Sequence, residues 1–227
     1  MKNIILFSAV YLLVATLEGC AAREIRAPET VLPIRTGGLN GVSATRSWKE
    51  LRDENVVLQR FDYSCGAGAL ATLMRYYFGD DVSEEVILAG ILGPMNDDEV
   101  KDREANGLAL LDLKDYAERR GYQAVGVRLN YASLPKLSGP VIIHLEREGY
   151  RHFAVLKGVR GDRIYLADPS LGNVRLSADR FAKEWSGIAL VLGKREFGLP
   201  REYPLAVDDQ EPVSNEILAA RRSLFIR

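Results

Sequence analysis

Two cysteines and two histidines are all that the 227 residues contain. Any thiol or imidazole chemistry must therefore draw on Cys20, Cys65, His144 and His152. An excess of one charge is missing too: 30 Lys and Arg face 31 Asp and Glu, and no basic tract stands out. That removes the electrostatic footprint of a nucleic-acid binder. There is no internal repeat and no low-complexity segment. The main apolar run, Ile4 to Leu17, is about 14 residues, short of the ~20 that a membrane-spanning helix needs. What remains is a chain of ordinary globular composition, long enough for one sizeable core and cramped for two.

The first 22 residues differ from the rest. Lys2, the apolar run and then Gly19, Cys20, Ala21 and Ala22 have the layout of a secretory signal peptide. Cleavage after Ala22 fits the ordinary signal peptidase. Leu17-Glu18-Gly19-Cys20 also resembles a bacterial lipoprotein box, in which Cys20 would be acylated. Both outcomes stay open, as does an uncleaved anchor. Each implies export, to the periplasm, with membrane contact only through this segment. Cys65 then remains as a single thiol where disulfides are favoured, so it is either buried and inert or kept for its reactivity.

Residues 23–46 carry Pro28, Pro33 and a Gly-Gly pair without sustained periodicity, and read as a linker or loosely packed arm. Residues 47–194 read as the folded domain. Residues 195–227 read as a tail with Pro200, Pro204 and Pro212, then a short helical pattern from Ser214 to Leu224.

Within the domain, helical spacing is expected over Gly66–Phe78, with Ala69, Leu70, Leu73, Met74 and Tyr77 on one stripe. Two more helices follow, around Glu85–Gly90 with Ser83 as cap, and over Leu108–Arg120 ending at Gly121. Strand patterns then take over at Gln123–Arg128, Pro140–Leu145, His152–Val159, Arg163–Ala167 and Ile188–Leu192. Helices first and an antiparallel sheet afterwards predict an α+β fold.

Cys65 opens the first of these helices. A helix N-terminus offers unsatisfied N–H groups and the positive end of the macrodipole, and both favour a thiolate. The small residues Gly66, Ala67, Gly68 and Ala69 would let a substrate approach the sulfur, or would simply serve tight packing. Gln59, six residues earlier, is a candidate donor to an oxyanion beside Cys65. Of the histidines, His144 lies in the apolar strand Val141–Leu145 and suits a core role. His152 follows the polar loop Glu146–Arg151 and opens a strand, where catalytic groups are commonly held.

Asp168 is the candidate third member. A three-residue loop centred on Arg160 would place it opposite His152, and one centred on Gly161 would make the two diagonal neighbours on one face. A two-residue turn would separate them onto opposite faces. Either favourable register lets the carboxylate orient the imidazole.

Gln59, Cys65, His152 and Asp168 follow the order of papain-like cysteine peptidases. The stretch Gln59-Arg60-Phe61-Asp62-Tyr63-Ser64-Cys65-Gly66 with its alanine-rich helix resembles the bacteriocin-processing, double-glycine leader peptidases. So do Gly107-Leu108-Ala109-Leu110, Pro140–His144, His152–Leu156 and Asp168-Pro169. The resemblance covers about residues 55–193. It implies a papain-like fold with N-terminal helices on an antiparallel sheet, and a catalytic set of Cys65 as nucleophile, His152 as base, Asp168 as orienter and Gln59 as oxyanion donor. No metal or cofactor is implied. The exported, stand-alone members of that family, including those encoded with functional-amyloid secretion systems, resemble this chain most in layout. They imply a peptide or protein substrate, with Gly-rich cleavage sites, and secretion-system proteins as partners. The alternatives are a catalytically idle peptide-binding module and a cysteine amidase or transferase acting on cell wall.

Overall fold

The computed structural model describes residues 30–36, 39–147 and 149–207. The signal-peptide region with Cys20, and the helical pattern expected over Ser214–Leu224, lie outside the described residues. Two compact units are separated at Arg46/Ser47. In the first, β1 (Thr30–Thr36) pairs antiparallel with β2 (Leu39–Thr45), Thr36 opposite Leu39. This segment was expected to be a linker or arm without regular structure. The Gly37-Gly38 dipeptide between two seven-residue strands is the hairpin signal that the scattered prolines and glycines obscured.

The second unit opens with α1 (Trp48–Asp53), started by a capping box in which Ser47 and Glu50 exchange hydrogen bonds. Next come α2 (Cys65–Tyr76) and α3 (Glu84–Leu92), the latter capped by the Ser83 hydroxyl, which accepts from the Val86 N–H. α4 (Asp97–Asn106) was not anticipated, because it buries no residue and so has no apolar period. Its start is fixed instead by Asn96, which accepts from the Asp98 and Glu99 N–H groups, and by three acidic residues in the first turn. α5 (Leu110–Arg119) buries Leu113, Tyr116 and Ala117.

The rest of the unit is β3 (Tyr122–Arg128), a 3-10 turn at Tyr131–Lys136, β4 (Val141–Arg147), β5 (Tyr150–Arg160), β6 (Arg163–Asp168), β7 (Gly172–Ser177), α6 (Ala178–Glu184) and β8 (Trp185–Lys194). The six strands form one antiparallel sheet in the order β3-β8-β4-β5-β6-β7. Helices packed on an antiparallel sheet are the expected α+β arrangement.

Both faces of the sheet are covered. Ile142, Phe153, Val155, Ala167 and Leu190 join α2, α3 and α5 in one apolar cluster. Ile143, Ala154, Leu156, Leu166 and Ala189 join Leu134 and Phe181 in the other. Two buried faces explain the nearly unbroken apolar runs Val141-Ile142-Ile143 of β4 and Phe153-Ala154-Val155-Leu156 of β5, whereas the edge strand β3 starts with buried and exposed positions in alternation.

α2 is likewise buried all round, from Cys65 to Met74, and not along a single stripe. The segment expected to begin a tail at 195 returns to the domain: Phe197 and Tyr203 pack on Tyr77, and Leu205 is fully buried. Among the described residues, no helix is long and apolar enough to cross a membrane.

Candidate active site

Cys65 is the first residue of α2, and its thiol is the free cysteine among the described residues. The loop before it is tied down by a buried carboxylate. Glu84, at the start of α3, accepts from the Arg60 N–H at 3.0 Å and hydrogen-bonds the Ser64 hydroxyl, which also accepts from the Phe61 N–H at 3.2 Å. These contacts set where the chain enters the helix, and hence where the sulfur points.

The glycines that follow serve packing. A Cβ on Gly66 would come within 3.0 Å of Leu113, and one on Gly68 within 2.9 Å of Pro169 and 3.2 Å of the Val57 carbonyl oxygen. The substrate-access reading of these small residues gives way to close passage of neighbouring chain over α2. Val57 N–H donates to Thr72 Oγ1 at 2.9 Å, and Gln59 N–H donates to the Pro169 carbonyl at 2.8 Å. The Val57–Gln59 segment thus runs between α2 and the end of β6.

His152 sits opposite Leu145 inside β5, as its third residue. It does not open the strand, because β5 begins at Tyr150. Its ring is buried, with Nε2 2.8 Å from Asp168 Oδ1, and it interacts electrostatically with Cys65. With Nε2 committed to the carboxylate, Nδ1 is left for the thiol.

The turn that brings His152 and Asp168 together differs from the expected one. Arg160 pairs with Arg163, so Gly161 and Asp162 form a two-residue turn, with Gly161 at φ 54°. That turn alone would set the two side chains on opposite faces. A β-bulge restores the parity. Gly158 pairs with Tyr165 but Leu156 pairs with Leu166, so Lys157 is an extra residue on β5. Continuing the register from Val155–Ala167 puts Ala154 opposite Asp168, and His152 two residues along on the same face.

Asp168 is fully buried and well satisfied. Besides His152, Oδ1 accepts from the Ser170 N–H (2.9 Å), the Ser170 hydroxyl (2.7 Å) and the Leu171 N–H (3.3 Å). Arg147 Nη1 donates to Oδ2 at 3.2 Å. Asp168 therefore ends the strand as a turn residue and also holds the histidine. Burial opposes its charge, but the contacts to His152 and Ser170 hold the carboxyl far below the usual carboxylate range. Burial likewise opposes the imidazolium of His152. The hydrogen bond to Asp168 and the interaction with Cys65 outweigh it and push the ring up to about 9.

Gln59 adopts a different posture from the one expected of an oxyanion donor. Its Nε2 donates to the Phe61 carbonyl at 3.0 Å, and its Oε1 is buried without a partner among the described residues. Service as an oxyanion donor requires the amide to swing off that carbonyl. His144 is half-buried, with Nδ1 3.0 Å from the Ser186 hydroxyl and its ring against Phe153, 5.2 Å between centroids. Burial lowers its affinity for a proton.

The sequence reading missed Glu84, Arg147, Ser170 and Tyr150, whose hydroxyl donates to the Asp62 carbonyl beside Cys65. Only Ser170, directly after the Asp168-Pro169 dipeptide, carried a local signal. Among the described residues, no three His, Cys, Asp or Glu side chains converge to hold a metal.

This arrangement can be compared with known proteins. The profile of the peptidase C39 family matches residues 53–196. The chain is 36% identical over 174 residues to the probable functional amyloid protease FapD of Pseudomonas aeruginosa, covering 76% of this chain and 74% of that one. It is 39% identical over 159 residues to the probable functional amyloid protease FapD of Pseudomonas fluorescens, covering 70% and 69%. In structure it is similar to the peptidase domain of Streptococcus ComA, with a TM-score of 0.52 at 23% identity, over 62% of this chain and 98% of that domain. The chain belongs to the peptidase C39 family and is a cysteine peptidase with a papain-like fold.

Proposed function

We propose that Cys65 is the nucleophile of this peptidase, with His152 as its acid and base, Asp168 as the orienting carboxylate and Gln59 as the oxyanion donor. The observation that carries the assignment is the buried His152–Asp168 contact at 2.8 Å, with the buried Cys65 thiol interacting electrostatically with the same ring. Nδ1 of His152 takes the thiol proton, and the thiolate attacks the scissile carbonyl. The oxyanion is met by the Cys65 N–H at the start of α2 and by Gln59 once its amide has turned. The imidazolium then gives its proton to the leaving amine, and water clears the acyl-enzyme with His152 acting as base. Ser170, Leu171 and Arg147 hold Asp168, so the imidazole keeps one tautomer through the cycle.

The substrate proposed is a peptide or protein cut at Gly-rich sites, in the periplasm, during the secretion or maturation of an exported protein such as a functional amyloid subunit. The similarity to the two FapD proteases supports the amyloid reading. The signal-peptide pattern at 1–22 supports export. Comparison of wild type and Cys65→Ala in the native host tests both. An exported protein that accumulates uncut in the variant names the substrate; an unchanged exported proteome refutes the reading.

A further inference from the structure

Asp168 presents two oxygens to very different surroundings. Oδ1 collects His152, both Ser170 donors and the Leu171 N–H, whereas Arg147 is the donor found on Oδ2. Arg147 ends β4 and is mostly buried. Its Nε donates to Glu184 Oε2 at 2.6 Å, and its Nη2 has no partner among the described residues. Glu184 ends α6 and is held by Arg180 at 2.8 Å. A planar fork thus spans two carboxylates from two elements, a geometry that lysine cannot reproduce.

We propose that Arg147 is a positioning residue of the peptidase, whose guanidinium fixes the second oxygen of Asp168 and restrains the negative charge that Asp168 presents to His152. The proposal rests on the assignment of Cys65, His152 and Asp168 made above. The groups facing the pair are Arg147 and His144 from β4, Cys65 from α2, Ser170 from the turn and Tyr150 from the start of β5. Glu184 and Arg180 of α6 act through Arg147. Of these, Arg147 is the permanent cation in contact with Asp168. A neighbouring cation disfavours protonation of His152, so without it the imidazolium persists to higher pH. A merely structural ion pair would depend on Arg147 and Glu184 equally.

Iodoacetate reports the difference without knowledge of the substrate. Its carboxylate is drawn to the imidazolium, so alkylation of Cys65 in the purified protein, followed by mass spectrometry, rises as the ion pair forms and falls as His152 loses its proton. Arg147→Met is expected to move the falling limb up by about half to one pH unit. Glu184→Gln breaks the same ion pair but leaves the cation on Asp168, so its limb stays or moves down. Should Arg147→Met fail to fold, Arg147→Lys carries the test. It keeps the charge but not the fork, and is expected to hold the limb while slowing alkylation severalfold. A limb unmoved in Arg147→Met, a limb moved alike in Arg147→Met and Glu184→Gln, or a wild-type rate in Arg147→Lys would overturn the proposal alone. A wild-type profile with no falling limb would overturn the His152 assignment, and the role of Arg147 with it.

Discussion

Replacing Gly68 by alanine sets two effects of known size against each other. In the interior of α2 the change gains about 1 kcal/mol of helix propensity. The new methyl, however, would lie 2.9 Å from Pro169 Cβ, 3.3 Å from Pro169 Cγ and 3.2 Å from the Val57 carbonyl oxygen. A proline ring and a backbone carbonyl cannot pivot away, so the overpacking cost belongs in the upper part of the ~1–3 kcal/mol range. The net expectation is a loss of about 1–2 kcal/mol, or ~2–8 °C in Tm for a domain of this size.

Gly66→Ala is the control. Its methyl meets side-chain tips of Leu113 at 3.0 and 3.2 Å and of Phe153 at 3.3 Å, which can yield. Propensity and crowding should then cancel to within about 1 kcal/mol. Thermal melts of both variants decide the matter. Because Pro169 adjoins Asp168 and accepts the Gln59 N–H, Gly68→Ala should also slow alkylation of Cys65. A Gly68→Ala protein as stable as wild type, or a larger loss in Gly66→Ala, would refute the account of why α2 opens with glycines.

Other outcomes follow from the same contacts. The folded-state pKa of His152 is raised from 6.5 to about 9, so its contribution to stability is complete below 6.5 and lost as pH rises through 9. Denaturation midpoints should fall across that window, and Asp168→Asn should flatten the fall; a wild type equally stable at both ends contradicts the pairing. Glu84→Ala strips the Arg60 N–H of its acceptor and leaves the Ser64 hydroxyl only the Phe61 carbonyl, and should cost about 1–3 kcal/mol by chemical denaturation. Loss of less than about 0.5 kcal/mol would show that the loop before Cys65 is held otherwise. His144→Gln should leave the falling limb of iodoacetate alkylation in place, because His144 is engaged with Ser186; a displaced limb would bring that ring into the reaction.

Elements with an apolar period were legible in the chain: α2, α3, α5 and the five expected strands all form, each within a few residues of its predicted bounds. What escaped had other physical origins. α4 is held by its cap and charges, and α1 buries nothing. β7 and α6 carry few buried side chains, among them Leu176 and Phe181. The meeting of Cys65, His152 and Asp168 followed from order and spacing, but the assumed turn was one residue too long and the compensating bulge had no sequence signature. Arg147 and Glu84 act through contacts 21 and 20 residues away in the chain, with nothing local to mark them.

The extra residue at Lys157 also says how this hairpin tolerates change in length. His152 and Asp168 are 16 positions apart in the chain, yet that count is not the quantity the site depends on. Lengthening the loop at Gly161-Asp162 leaves every cross-strand partner where it was, so an insertion there should be silent. One residue added between Phe153 and Leu156 turns the imidazole to the far side of the sheet unless a second irregularity cancels it. Viable variants of this hairpin should therefore differ in length at the tip and conserve the odd-or-even count along its arms.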